Sequence, residues 1–214
     1  MILSIHIPKT AGVTFRSILA RTFEADFLLS YWKMTDATGE VVAEVPLNTR
    51  CIHGHFAPEV FLPRFPDAKL ITWVRDPVER VVSSYCHRLR DPDLKHPVTR
   101  ELHEKKLSLL QFAALDLMRN EMSRFFGQPA PARYAFVGLT EEYELGLELF
   151  FRVFDLPAVP VGHENCNPDR NGVRYAIDIA TRRKVAALNE QDCDLYFDCR
   201  RRYCELYRRH LLVA

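Results

Sequence analysis

Three short apolar runs, each closed by a polar cluster and a turn, restrict what this chain can fold into. Residues 2 to 7 form a β-branched run of strand length that stops at Pro8; a loop with one glycine follows, and Phe15, Ile18 and Leu19 then recur at helical spacing. The run from Arg50 to His53 stops at Gly54, and the run from Lys69 to Val74 stops at Arg75-Asp76-Pro77. Proline suits the first turn of a helix, and Val78, Val81, Val82, Tyr85 and Leu89 behind Pro77 predict an amphipathic helix over residues 77 to 90. Strands that alternate with helices predict a parallel α/β sheet, whose ligands gather at the C-terminal strand ends.

The rest of the chain is less sharply patterned. Arg80, Ser83, Ser84 and His87 make a polar stripe on the helix over 77 to 90, and the plainest reading of such a stripe is a solvated face. Residues 91 to 106 are polar with two prolines and read as a surface excursion or lid, while 107 to 126 return to helical patterning. Tyr134 to Val137 reads as a further strand. Thr140 is placed as an N-cap, with Glu141 and Glu142 at the positive end of the helix dipole and Tyr143, Leu147, Phe150, Phe151 and Phe154 on one core face. Residues 157 to 172 read as a loop, and two helices are expected near 178 to 189 and 192 to 211.

With 214 residues, 48% of them hydrophobic and 27% charged, the chain is expected to form one soluble domain over residues 1 to 214. The 29 basic side chains nearly balance 28 acidic ones, which excludes the basic excess of a general nucleic-acid binder and makes any anion site a local one. The basic surplus toward the C-terminus reads as a solvated helix face. Six cysteines without a Cys-x-x-Cys pair point to reduced thiols. No signal-like leader and no run of about 20 apolar residues is present, so no membrane span is expected and the expected location is cytoplasmic. Strand-like residues directly after Met1 suggest that little precedes it.

Each polar cluster has a chemical reading. Pro8-Lys9-Thr10-Ala11-Gly12-Val13-Thr14-Phe15 leads into a helix N-terminus, whose unpaired N–H groups favour an anion. A Walker A loop places its lysine after the last glycine; here Lys9 precedes Gly12, which argues against an ordinary ATP or GTP site. In the second cluster, Arg75 at a strand end and Ser83 two turns into the next helix can converge on one phosphate, with Asp76 capping the helix or orienting an arginine. The third cluster is Cys51-Ile52-His53-Gly54-His55-Phe56.

Together, His-x-Pro-Lys-Thr-Ala-Gly-x-Thr-Phe and Arg-Asp-Pro-x-x-Arg-x-x-Ser resemble the two elements with which sulfotransferases bind PAPS (3′-phosphoadenylyl sulfate). The likeness is closest to the carbohydrate enzymes of the heparan sulfate and uronosyl 2-O type, because of the His-Gly-His segment and of Val137-Gly138-Leu139-Thr140-Glu141-Glu142. It covers roughly residues 4 to 90 and 134 to 155. The resemblance implies a P-loop-NTPase-like three-layer sandwich, a central parallel sheet flanked by helices. It also implies that Lys9 contacts the bridging oxygen of the phosphosulfate, that Thr10, Ala11, Gly12, Val13, Thr14 and Phe15 supply loop contacts, and that Arg75 and Ser83 hold the 3′-phosphate. A histidine base maps to His55 first and His53 second, and a late donor loop maps to Arg170, Asn171 and Gly172. The resemblance further implies that the product is PAP (adenosine 3′,5′-bisphosphate), that no metal is required, and that the acceptor is a hydroxylated small molecule or a glycan.

Three rival readings stand beside this one. Cys51, His53 and His55, with His87, could hold a metal ion, since thiolate and imidazole are good zinc ligands. A P-loop nucleotide kinase shares the strand-loop-helix start. A PAP- or PAPS-binding protein without turnover would keep the same donor residues. His6, within an apolar run, is expected to be a hydrogen-bonded structural histidine.

Overall fold

The computed structural model describes residues 1–30, 45–159 and 175–212. Five strands, β1 (Ile2–Ile5), β2 (Phe27–Ser30), β3 (Cys51–Gly54), β4 (Lys69–Val74) and β5 (Tyr134–Leu139), form one sheet in the order β2-β3-β1-β4-β5. Every pairing is parallel. Parallel strands need crossover connections and burial on both faces, which is why β1, β3 and β4 read as nearly continuous apolar runs. Helices flank the sheet, giving the α/β sandwich that the alternation predicts.

β1 lies between β3 and β4, with Ile5 opposite Gly54 on one side and Thr72 on the other. The C-terminal ends of the three motif-bearing strands are therefore immediate neighbours. The expected strand over 2 to 7 ends two residues early because His6 and Ile7 already turn toward α1 (Gly12–Phe23). The helix α2 spans Pro77–Arg90, as its apolar spacing predicts.

Other elements depart from expectation for local reasons. The polar excursion over 91 to 106 contains α3 (Pro97–Glu104), which starts on its proline and buries Val98 and Leu102. Residues 107 to 126 break into α4 (Leu109–Ala113), closed by a Ser108–Gln111 capping box, and α5 (Glu121–Phe126). Thr140 is not the N-cap: its hydroxyl donates to the Val74 carbonyl at 3.0 Å, residues 140 to 142 form a single 3-10 turn, and α6 (Tyr143–Phe154) follows. Leu147, Phe150 and Phe151 of α6 are buried in the main core with Phe15 and Trp73, as the aromatic stripe predicts.

The last two helices are α7 (Ile179–Leu188) and α8 (Glu190–Leu211). A smaller apolar cluster, including Val81, Val82, Val98, Phe112 and Val185, joins α2 to α3, α4 and α7. Between the two apolar clusters runs a buried ionic layer. Arg80, fully buried, pairs with Glu121 and lies 3.6 Å from the buried Asp192 carboxylate. Asp192 also accepts the main-chain N–H groups of Met122 and Ser123, so the start of α5 is fixed by α8.

Candidate functional site

The loop after β1 is drawn tight by side chains that turn inward. Thr10 is buried and its hydroxyl donates to the Ile7 carbonyl at 2.8 Å, while Phe15 packs edge-on against Trp73 and Phe150 in the core. Of the loop contacts expected from Thr10 to Phe15, those of Thr10 and Phe15 fall to their main chains, since one side chain satisfies a buried carbonyl and the other fills the core. Lys9, Ala11, Gly12, Val13 and Thr14 do line a cavity of about 1110 Å³ at the C-terminal sheet edge. Lys9 (φ 69°) and Ala11 (φ 64°) both hold left-handed backbone, which costs free energy in any residue but glycine.

The second cluster meets the first directly. Asp76 caps α2 by accepting the N–H groups of Val78 and Glu79 at 3.0 and 3.1 Å. Arg75, only 5% exposed, donates to the Lys9 carbonyl at 3.3 Å and lies over the Tyr175 ring at 5.8 Å. Ser83, Ser84, His87 and Arg88 of α2 line the same cavity. The solvated-face reading of the stripe is overturned, because α3, α5, α7 and α8 pack around α2 and leave its polar residues facing either the cavity or the buried ionic layer.

The two histidine candidates part company. His55 lines the cavity, and its Nδ1 lies 2.6 Å from the His6 carbonyl oxygen. A carbonyl can only accept, so Nδ1 carries the proton and the lone pair of the neutral ring sits on Nε2. Burial lowers the pKa of His55, favouring that neutral form, although the His6 carbonyl bond works the other way. His53 is 1% exposed, is bonded through Nδ1 to the Ser4 hydroxyl at 2.8 Å and does not line the cavity. Burial, with help from the charges of His55 and Arg16, pushes its pKa down to about 3. His53 is thus buried outside the cavity lining, while His55 is the histidine of the pair that faces the cavity.

Glycine is required twice here for room. A Cβ on Gly54 would run into the Ser30 carbonyl of the adjacent strand, and one on Gly12 would overlap the His6 ring. The spacing of the two histidines and the entry into α1 both depend on those close approaches.

Lys9, Arg75, Arg88, Lys95 and Arg124 line the cavity, together with the carboxylates of Asp91, Asp93, Glu121 and Glu144. Burial, and after it the charges of Arg75, Arg90 and Arg88, bring the Lys9 pKa down to about 8. Such crowding of positive groups is relieved by a bound polyanion. Among the described residues, no three His, Cys, Asp or Glu side chains are grouped to hold a metal ion, and burial pushes the Cys51 thiol up. The metal reading of Cys51, His53, His55 and His87 therefore has no cluster to rest on. Arg170, Asn171 and Gly172 lie outside the described residues.

Sequence reasoning missed Tyr175 and the role of Glu79. The Glu79 carboxylate, buried at 1% exposure, accepts the Tyr175 N–H at 2.9 Å and pairs with Arg182 at 2.7 Å. It thereby ties α7 and the segment before it to the cavity wall. A glutamate directly after Val78, in a helix otherwise rich in core positions, was the available signal.

No helix among the described residues is long and apolar enough to cross a membrane. A sequence profile described as the sulfotransferase family matches residues 1–198. No curated protein matches the sequence significantly.

Proposed function

Because this chain belongs to the sulfotransferase family, we propose that its cavity takes PAPS as donor and that the enzyme transfers the sulfuryl group to a hydroxyl of a carbohydrate or other hydroxylated acceptor. The observation that carries this reading is the convergence of Lys9, Arg75, Ser83 and His55 on one cavity at the C-terminal ends of adjacent strands.

Each residue has a task that follows from its setting. Lys9 presents its ammonium to the leaving phosphate, where charge develops during transfer. Arg75 and Ser83 hold the 3′-phosphate by forked charged hydrogen bonds and a hydroxyl. His55 takes the acceptor proton at Nε2 while its Nδ1–H stays on the His6 carbonyl, so the ring becomes a cation without turning. Ala11, Gly12, Val13 and Thr14 supply the loop and helix-end amides that favour the 5′-phosphosulfate. The side chains and amides carry the neutralisation with no metal required. A reducing, cytoplasmic setting is part of the proposal, supported by the free thiols of Cys51, Cys86, Cys193, Cys199 and Cys204.

The test is incubation with sulfur-labelled PAPS and a panel of saccharides and other hydroxylated acceptors, using the wild type, Lys9→Ala and His55→Ala. Labelled product is expected from the wild type alone, with PAP binding retained in His55→Ala. Near-normal turnover by His55→Ala would reject the base assignment. A thermal shift with ATP and magnesium but none with PAP would reject the donor in favour of a kinase.

A further inference from the structure

The mechanism leaves one buried titratable side chain of the cavity without a role, and it sits against the base. His6 follows β1 directly; its main-chain N–H donates to the Gly54 carbonyl at 2.7 Å, and its own carbonyl receives the His55 Nδ1–H. Its ring, 6% exposed, is the middle member of a column of three imidazoles. The centroid of His53 lies 5.1 Å away at 19°, and that of His55 4.3 Å away at 24°. The far edge of the ring is pressed by α1, where only a glycine at position 12 leaves space for it.

We propose that His6 is a positioning residue for the base: its carbonyl selects the His55 tautomer, and its ring, wedged between His53, His55 and Gly12, fixes the plane of the His55 ring. The proposal rests on the assignment of His55 as base. It differs from the expectation of a merely structural histidine, because both halves of His6, main chain and ring, act on one neighbour.

The physics favours such an arrangement. A stacked ring restricts rotation about the His55 side-chain bonds, and the hydrogen bond restricts the flip that would exchange Nδ1 and Nε2; together they leave one orientation of the lone pair. The stack also requires that His6 stay neutral, since a second imidazolium at this distance would oppose protonation of His55. Burial, then His55, His53, Arg16 of α1 and Lys9 of the loop, all hold the His6 pKa well below its usual value. Phe125 also packs against His55, tilted at 54° with 5.7 Å between centroids, and adds no charge.

The test combines spectroscopy of the wild type with two substitutions. Nitrogen-15 spectra of histidine-labelled protein are expected to show neutral His55 as the Nδ1–H tautomer; an Nε2–H tautomer would overturn the proposal without any variant. His6→Phe, which keeps a flat ring, is expected to retain most of kcat. His6→Leu, which fills the space without a flat ring, is expected to lower kcat by about tenfold to a hundredfold while PAP affinity and acceptor KM stay unchanged. Equal kcat values for His6→Leu and wild type would overturn it, as would a loss confined to PAP affinity, which would make His6 a donor contact. If His55→Ala keeps its turnover, the base assignment itself fails, and that outcome is separate from every His6 result. Should His6→Leu not fold, the His6→Phe rate and the tautomer decide.

Discussion

Arg75 reaches back across the sheet edge to donate a hydrogen bond to the main-chain carbonyl of Lys9 at 3.3 Å. The bond joins the loop after β1 to the end of β4, the two elements proposed to bind phosphate, and it brings a second positive charge near the Lys9 ammonium. Burial first, and then that neighbouring charge with those of Arg90 and Arg88, push the Lys9 pKa down to about 8. Four predictions follow from this and from the contacts around it.

Donor affinity should depend on pH through Lys9. Below about 8 the ammonium is charged and binds the anion; as pH rises through that value the charge, and with it affinity for PAP, is lost. A bound anion favours the charged form, so PAP binding just above pH 8 should be accompanied by proton uptake. Calorimetry in buffers of different ionisation enthalpy measures the uptake directly, and Lys9→Met should abolish it.

Arg75→Ala and Ser83→Ala should weaken PAP binding without unfolding the chain. Loss of a charged, forked partner costs more than loss of a hydroxyl, about 2 kcal/mol against about 1 kcal/mol. Titration calorimetry orders the two, and an unchanged affinity in either variant removes that residue from the site. Arg75→Ala also frees the Lys9 carbonyl and uncovers Tyr175, so its loop should exchange amide hydrogens faster.

The rate of transfer should fall on the acid side as His55 becomes protonated. Because burial lowers its pKa, the acid limb of kcat should lie below the ordinary histidine value of about 6.5. His55→Ala should remove that limb and reduce kcat by at least about a hundredfold. A limb that persists in His55→Ala would assign the titration to another group.

Arg80 should matter to stability far more than to chemistry. Its removal leaves the Glu121 and Asp192 carboxylates facing each other in a buried layer without their counter-charge. Breaking such a network from one side costs about 3–5 kcal/mol, so Arg80→Ala should shift the urea midpoint sharply downward. Arg80→Met together with Glu121→Gln should recover part of the loss, since one of the two stranded carboxylates becomes neutral and Asp192 keeps the main-chain N–H donors of Met122 and Ser123.

The strand ends and α2 were legible because their signals are local: apolar runs stopped by Pro8, Gly54 and Asp76-Pro77, and valines at helical spacing. The strand β2 was not, because it is a four-residue edge strand whose Leu29 is 45% exposed, so neither alternation nor a fully apolar run marks it. Helix α3 hid in a polar segment because only Val98, Thr99 and Leu102 of its eight residues are buried. The stripe on α2 misled for the opposite reason: polar residues at helical spacing look alike whether they meet water, a cavity or a buried carboxylate. Glu121, Asp192 and Tyr175, the partners that decide the matter for Arg80 and Arg75, lie more than forty residues away in the chain. The choice between His53 and His55 likewise needed tertiary structure, since Ser4 of β1 holds one in the core and the His6 carbonyl just beyond β1 holds the other in the cavity wall.

The left-handed backbone at Lys9 and Ala11 bears on how this protein can be engineered. Glycine at position 11 would adopt the same turn without steric penalty, and a screen for heat resistance would favour it. The same change would widen the conformations open to the loop before donor arrives. Thermal tolerance and turnover should therefore be selected separately at this position, with gains in one drawn from the other.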